Sequence, residues 1–392
     1  MQHRGSTARR STGMALIGIV ALALAACGSS DQPGSQTSGE PASNSAAGTP
    51  AASGTTDDTT ASGGQPPDGD ATLNELYTAA KAEGTVVWFA PKAQDQMQPA
   101  IDAFEKAYPG IEVQYTDKKA PDQVTQLKLE ESANKVTIDV ANAGGLTVEA
   151  ALPIVQTVDW AKYGVPKDQI MDDFVYIWSV PKVFAYNTNV VSADNVPKSW
   201  DDLLDPQWKG GKLGLEARGS FMTVWATDDA LGGPDAGIAY AKKLAAQDPH
   251  FTPNATQSHA MMVSGQVAIS NTLMNNLLDD QAKGAPIALA PISPITGNEA
   301  YLYVPKGAPH QAAATLLASF LASPAGQAEL AKGNNAIIPP STDCTGTDKT
   351  AVVQALCDAG IEWKGIVDAK QYELLSDFFP KVQAALGASA DG

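Results

Sequence analysis

Basic residues are scarce in this chain: 26 Lys and Arg stand against 43 Asp and Glu, a formal net charge of −17. Three of the basic residues, Arg4, Arg9 and Arg10, lie within the first ten positions, so the rest is more acidic still. A negative field of that size excludes nucleic acid as a partner and adhesion to anionic lipid; it leaves the local charge of a pocket open. Long apolar runs are missing too. The run from Met14 to Ala26 falls short of the about 20 residues a spanning helix needs. Histidine is sparse, with 4 in the chain, and none lies within about thirty residues of Cys344 or Cys357, which argues against a zinc-type site there. The patterns His-Glu-x-x-His, Gly-x-Ser-x-Gly, Gly-x-x-x-x-Gly-Lys-Ser/Thr and a post-strand Gly-x-Gly-x-x-Gly are all absent. No catalytic residue, metal or cofactor is expected. Acidic residues are plentiful, so an extracytoplasmic hydrolase stays open as an alternative reading, as does a sensory or adhesive protein.

What is present begins with a leader. The arginines, the short apolar run and the small-residue end Leu24, Ala25, Ala26 form a signal peptide, residues 1–26. Leu24-Ala25-Ala26-Cys27 resembles a bacterial lipobox, which implies cleavage before Cys27, lipidation of its sulfur and anchoring to the outer face of the cell membrane. Several acyl chains on one cysteine meet the requirement of two hydrophobic signals for stable anchoring. Residues 28–70 carry Gly, Ser, Thr, Ala, Pro and Asp and no large apolar side chain. Such a segment cannot offset the entropy of ordering and reads as a tether of roughly 35 to 40 Å.

From Ala71 onward the chain is long enough for two domains. Helical spacing runs over Leu73 to Glu83, Gln94 to Tyr108 and Pro121 to Ala133, alternating with apolar strands at Thr85 to Phe89, Ile111 to Tyr115 and Ile138 to Val140. That alternation predicts a parallel sheet, with ligand beyond the carboxyl ends of its strands. A second series follows: strands at Lys212 to Leu215, Gln266 to Ser270 and Ile287 to Ala290, helices at Phe221 to Leu231, Pro234 to Ala246 and Thr272 to Lys283. Val183 to Tyr186 and Tyr301 to Val304 are the predicted crossings between the two. Helices are expected again over His310 to Leu321, Pro324 to Lys332, Thr350 to Ala359 and Lys370 to Leu386. Cys344 and Cys357, 13 positions apart in an exported chain, favour a disulfide over two buried thiols.

The segments GTVVWFAPK, AFEKAYPGIEVQY, AYNTNVV, PKSWDDLLDPQWKGGKLGL, SGQVAIS and KGAPIALAPI, in that order and spacing, resemble the extracellular solute-binding proteins of ABC importers, in the branch that includes the ferric-iron-binding proteins. The resemblance covers Leu73 to about Lys332. It implies a two-lobed α/β fold of the periplasmic-binding-protein type 2 kind, with two hinge crossings and a ligand cleft between lobes. Lobe 1 is expected to hold residues 71–184 and 298–392, and lobe 2 residues 185–297. It also implies a monomer that captures a small solute and hands it to a membrane permease. Ferric binders of the family use two neighbouring tyrosines just after the strand corresponding to Gln266 to Ser270. Here that stretch reads Asn271-Thr272-Leu273-Met274-Asn275-Asn276, and the chain has no adjacent tyrosines. Ferric iron, a hard cation, needs anionic oxygens. An organic solute such as a phosphonate, phosphate ester or carboxylate is therefore the expected ligand, with ferric iron as the alternative.

Candidate ligand-binding residues follow from position. Phe89, Pro91 and Lys92 come after the first strand, Lys92 as an anion partner or a plain surface lysine. Gly144 and Gly145 follow the third strand and form either a turn or a backbone nest. Arg218, Gly219 and Ser220 precede the helix predicted from Phe221, a place where free N–H groups and a guanidinium suit an anion; a capped helix beside an exposed arginine fits the same residues. Asn271 and Thr272 are hydrogen-bonding candidates or helix caps, and Tyr186 and Asn187 sit at a predicted crossing. Trp178 offers an apolar wall or fills the core.

Overall fold

Apolar strands separated by amphipathic helices organise the first part of the chain. The structure is a computed structural model, and it describes residues 71–145, 147–333, 344–345, 350–366 and 368–388, all within the second of two units into which the chain divides at Thr60. The leader, Cys27 and the tether lie outside the described residues. Helix α1 (Ala71–Glu83) stops at Gly84, whose φ of +74° suits glycine. Strand β1 (Thr85–Ala90) pairs in parallel with β2 (Glu112–Asp117), the two being joined by α2 (Gln94–Ala107), which buries Met97, Ile101 and Phe104 at helical spacing. Helix α3 (Ala120–Ser132) leads to β3 (Ala141–Ala143), and Val140 just before it bridges Trp88 in parallel. A short α4 (Thr147–Ala151) and β4 (Ile170–Met171) precede β5 (Phe174–Asn187), buried along its length except at Lys182.

The second series contains β6 (Leu213–Glu216), α5 (Thr223–Thr227), α6 (Gly233–Ala245), β7 (His250–Thr252), α7 (Ala255–Val263), β8 (Ile269–Leu273), α8 (Met274–Ala282) and β9 (Ile287–Ala290). Strand β6 lies parallel to β7 and β8. Then β10 (Gly297–Tyr303) returns to the first series, where it runs antiparallel to β3 and to the first half of β5. The resulting order is β3-β10-β5-β8-β6-β7. The predicted strands Thr85 to Phe89 and Ile111 to Tyr115 pair in parallel, with Val140 bridging in the same sense, while the longer sheet is mixed. Strands β5 and β10 are not reached through crossover helices, and without a crossover the antiparallel arrangement is the accessible one.

The crossings also lie elsewhere than predicted. Up to Pro181, β5 pairs with β10; from Lys182 it pairs with β8, and from Phe184 also with β9. Val183 to Tyr186 is therefore already inside the second series, and Tyr301 to Tyr303 is paired with β3 in the first. The chain passes over at Pro181–Lys182 and returns through residues 291–296.

Helices α9 (Gln311–Ala322) and α10 (Pro324–Gly333) cover the first series, where Leu316, Leu317 and Phe320 join a core with Phe104, Trp88 and Val86. The next two depart from the expected boundary. Helix α11 (Ala351–Asp358) places Val352, Val353 and Leu356 with Met262, Met274 and Leu277 of the second series, and a disulfide joins its Cys357 to Cys344. Helix α12 (Ala369–Leu386) lays Phe378 on α6 and Val382 beside Gly219. Both helices are amphipathic and cover apolar faces that the second series leaves bare, so residues from Ala351 on do not simply extend lobe 1.

Candidate ligand cleft

Where β5 changes partners, alternate side chains Trp178, Val180 and Lys182 point to one side. They face a cleft of about 820 Å³ whose other walls come from the ends of β1, β3, β6, β8 and β10 and from α12. Such a volume lies in the range of small-molecule sites. From the first series come Pro91, Lys92, Gly144 and Gly145; from the second, Glu216, Arg218, Ser220, Asn254, Asn271 and Asn275; from β10, Gly297 to Ala300. Close approach has demanded glycine twice. A Cβ on Gly144 would stand 2.4 Å from the Glu299 carbonyl oxygen, and one on Gly297 1.7 Å from Ser179 Oγ.

The charges are unequal in their satisfaction. Glu216, 3% exposed, accepts hydrogen bonds from Ser220 Oγ and, at 3.2 Å, from the Phe221 N–H. Glu299, 6% exposed, accepts from the Gly297 N–H at 3.3 Å and from its own backbone N–H. Burial raises its carboxyl to about 6, against the pull of Lys182. Lys182 is itself pushed down by burial and by Arg218, while Glu299 and Glu216 draw it back up. Burial also lowers Lys92, whose ammonium sits 5.9 Å from the centre of the Trp178 ring. The loop carrying it is held by Tyr115 Oη, which donates to the Lys92 carbonyl at 2.6 Å. Among the described residues, Lys92, Lys182 and Arg218 have no carboxylate within ion-pair distance. One cleft therefore holds three basic side chains with no carboxylate at ion-pair distance among the described residues, although Glu299 and Glu216 act on Lys182 from farther off.

Residues 99–356 match the family described as bacterial extracellular solute-binding protein. The chain belongs to that family. Its members are the substrate-binding components of ABC importers, which are transport components and not enzymes, and membership implies export. No curated protein matches the chain closely enough to report. Solved structures share the two-lobed fold. Iron-bound HitA from Pseudomonas aeruginosa has 17% identity and a TM-score of 0.61, covering 77% of this chain and 99% of its own. The Atu4243-GABA receptor has 19% identity and a TM-score of 0.60, with 77% and 97% covered. AgtB of A. tumefaciens, in complex with agropinic acid, has 18% identity and a TM-score of 0.54, with 77% and 96% covered.

In this solute-binding protein Pro91, Lys92, Gly144, Gly145, Trp178, Arg218, Ser220 and Asn271 reach the cleft, whereas Phe89, Tyr186, Asn187, Gly219 and Thr272 do not line it. Phe89 packs under the Lys118 ammonium, 5.6 Å from its ring. Tyr186 is buried in the core, and Asn187 Nδ2 donates to the Met262 carbonyl at 2.9 Å. Thr272 alternates away from Asn271 along β8, and its hydroxyl meets His259 Nδ1 at 3.0 Å. Gly219 is the seat of Val382. The predicted helix from Phe221 is broken into 3-10 turns around the five-residue α5, and the N–H groups thought to await an anion are used: Phe221 donates to Glu216 and Met222 to the Gly219 carbonyl. Gly144, whose N–H bonds Thr147 Oγ1 at 2.9 Å, forms a turn. Side chains, not backbone N–H groups, thus give the cleft its positive charge. Lys182 and Glu299 were missed at the sequence level, though each is a lone charge in an apolar run, VPKVF and GNEAYLYV. The signal was legible there.

Proposed function

We propose that the protein captures a small organic anion outside the cell, by closure of two lobes over the cleft, and presents it to a membrane permease while tethered through a lipid on Cys27. The observation that carries the ligand class is the group of three basic side chains, Lys92, Lys182 and Arg218, in one cleft, none with a carboxylate at ion-pair distance among the described residues. A ferric ion would meet repulsion from all three, and of the two lining carboxylates Glu216 is already engaged by Ser220 and Phe221. Pro181–Lys182 and residues 291–296 serve as the hinge, since there the backbone leaves one set of strand partners for another. Contacts from both sides are complete only when the lobes are closed, so ligand favours that state by its differential affinity.

Thermal-shift screening with carboxylates, phosphonates, phosphate esters and ferric iron tests the reading. A true ligand at a hundredfold excess over Kd adds about 2.7 kcal/mol to stability. Arg218→Ala should weaken an anionic ligand by roughly 1.5 to 3 kcal/mol, the worth of a hydrogen bond to a charged group. A shift with iron alone, unaffected by Arg218→Ala in calorimetry, would reverse the assignment.

A further inference from the structure

Helix α12 lies beyond the residues that match the family, which end at 356. Yet Tyr372, Leu375, Ser376, Phe379, Pro380 and Gln383, spaced three and four apart along one face, form a wall of the cleft. An adjoining stripe of the helix is packed against the fold: a Cβ on Gly237 would touch Phe378 at 3.0 Å, and one on Gly219 would touch Val382 at 2.6 Å. The approach to the helix is pinned as well. Trp363 bridges Ile295, the Glu362 N–H donates to Ser293 Oγ at 3.0 Å, and Lys364 Nζ pairs with Asp228 at 2.7 Å. Tyr372 Oη donates to Tyr301 Oη at 3.2 Å, fixing the first turn to β10. The helix is therefore a built part of the site and not a loosely apposed tail.

This wall is mostly apolar. Leu375, Phe379 and Pro380 stand among further apolar lining from Trp178, Val180 and Leu273. The cations come from elsewhere, Lys92 from the loop after β1, Lys182 from β5 and Arg218 from the turn after β6. A bare anion such as phosphate or acetate would meet the cations and leave most of the roughly 820 Å³ to water. A polyanion would set surplus charge against Leu375 and Phe379, whose side chains offer it no hydrogen bond.

We infer that the solute is a monoanion with an apolar body of several carbons, its charged end held by Lys92, Lys182 and Arg218 and its body laid on α12. This rests on the anion-capture reading and adds to it the chemical class of the rest of the ligand. The site then measures its ligand at two places: charge near β5, and apolar length or breadth at the helix.

The test is calorimetric titration of the full chain with a series of straight-chain carboxylates from acetate to octanoate, with phenylpropanoate, and with citrate and inorganic phosphate as polar controls. Affinity should rise roughly three- to fourfold for each added methylene, until the cleft is filled. Phe379→Ala should flatten that rise, while Arg218→Ala should lower every member by a similar factor and leave the slope intact. Should Phe379→Ala fail to fold, Ser376→Phe reads the same wall from an exposed position and should reduce binding of the longest members while sparing acetate. Affinity independent of chain length, or tighter binding of citrate or phosphate than of any alkanoate, would overturn the inference and leave anion capture standing. Silence toward every anion in the set would bring down the underlying reading as well.

Discussion

Glu299 is a carboxylate in a strand of apolar neighbours, with Lys182, Tyr176, Tyr301 and Tyr372 as the titratable groups around it. Its folded value of about 6 lies above the ordinary 4.5, so the folded chain holds this proton more tightly than the unfolded one. The contribution to stability is complete below about pH 4.5 and is lost as pH rises through 6. At neutral pH the ionised group costs about 2 kcal/mol relative to its protonated form. Glu299→Gln, which mimics the protonated acid, should therefore stabilise the ligand-free protein at pH 7 by up to about 2 kcal/mol and remove that part of the pH dependence between 4.5 and 6. Urea titrations at a series of pH values measure this. Equal pH profiles for variant and wild type would show that burial is not what sets the state of Glu299. A residue kept at such a cost is consistent with a place in the ligand's field and not in the stability of the fold.

Elements pack here through glycines that admit a neighbour. Gly219 has φ of +68°, and a Cβ there would approach Val382 Cγ1 of α12 to 2.6 Å. Gly219→Ala should cost roughly 1 to 2 kcal/mol for the left-handed backbone and about 1 to 3 more for overpacking. Adding Val382→Ala relieves the second part only. Denaturant unfolding of the two single variants and the double should show them coupled by about 1 kcal/mol; strict additivity would mean that α12 does not rest on this turn. Such contacts explain which elements the sequence made legible. Local periodicity located Gln94 to Tyr108 and Ile287 to Ala290 almost to the residue, because an amphipathic helix and a short buried strand carry their own pattern. It caught only part of β5, since a strand buried on both faces has no alternation and Pro181 reads as a break. Glycines were harder. Gly144 was open to a turn or a ligand nest and Gly219 was a ligand candidate; the structure makes the first a turn against the Glu299 carbonyl and gives the second Val382 as its neighbour. A glycine announces that something comes close and not what it is. The role of α12 was illegible for a related reason: its two apolar stripes look alike, and only the fold shows that one meets protein and the other a cleft.

At the scale of the whole molecule two fields oppose one another. The chain carries a formal charge of −17, while the cleft presents Lys92, Lys182 and Arg218. Which field an approaching anion experiences depends on the reach of electrostatics in the solvent. At 0.01 M salt the Debye length is about 30 Å and the anion senses the acidic surface as a body; at 0.15 M it is about 8 Å and only the charges near the cleft mouth count. Inside the cleft, screening is weaker because protein replaces ions and water. Raising salt over this range should accordingly speed association of a carboxylate ligand severalfold and change its dissociation rate little, so that affinity improves. Stopped-flow tryptophan fluorescence is suited to the measurement, since Trp178 stands in the cleft wall. The opposite trend, association slowing with salt, would mean that the cationic group projects its field beyond the mouth and steers the ligand in despite the acidic exterior. In that case the charge pattern around the cleft, and not the net charge of the chain, governs encounter, and neutralising Arg218, the exposed member of the three, should slow association at low salt more than it hastens release.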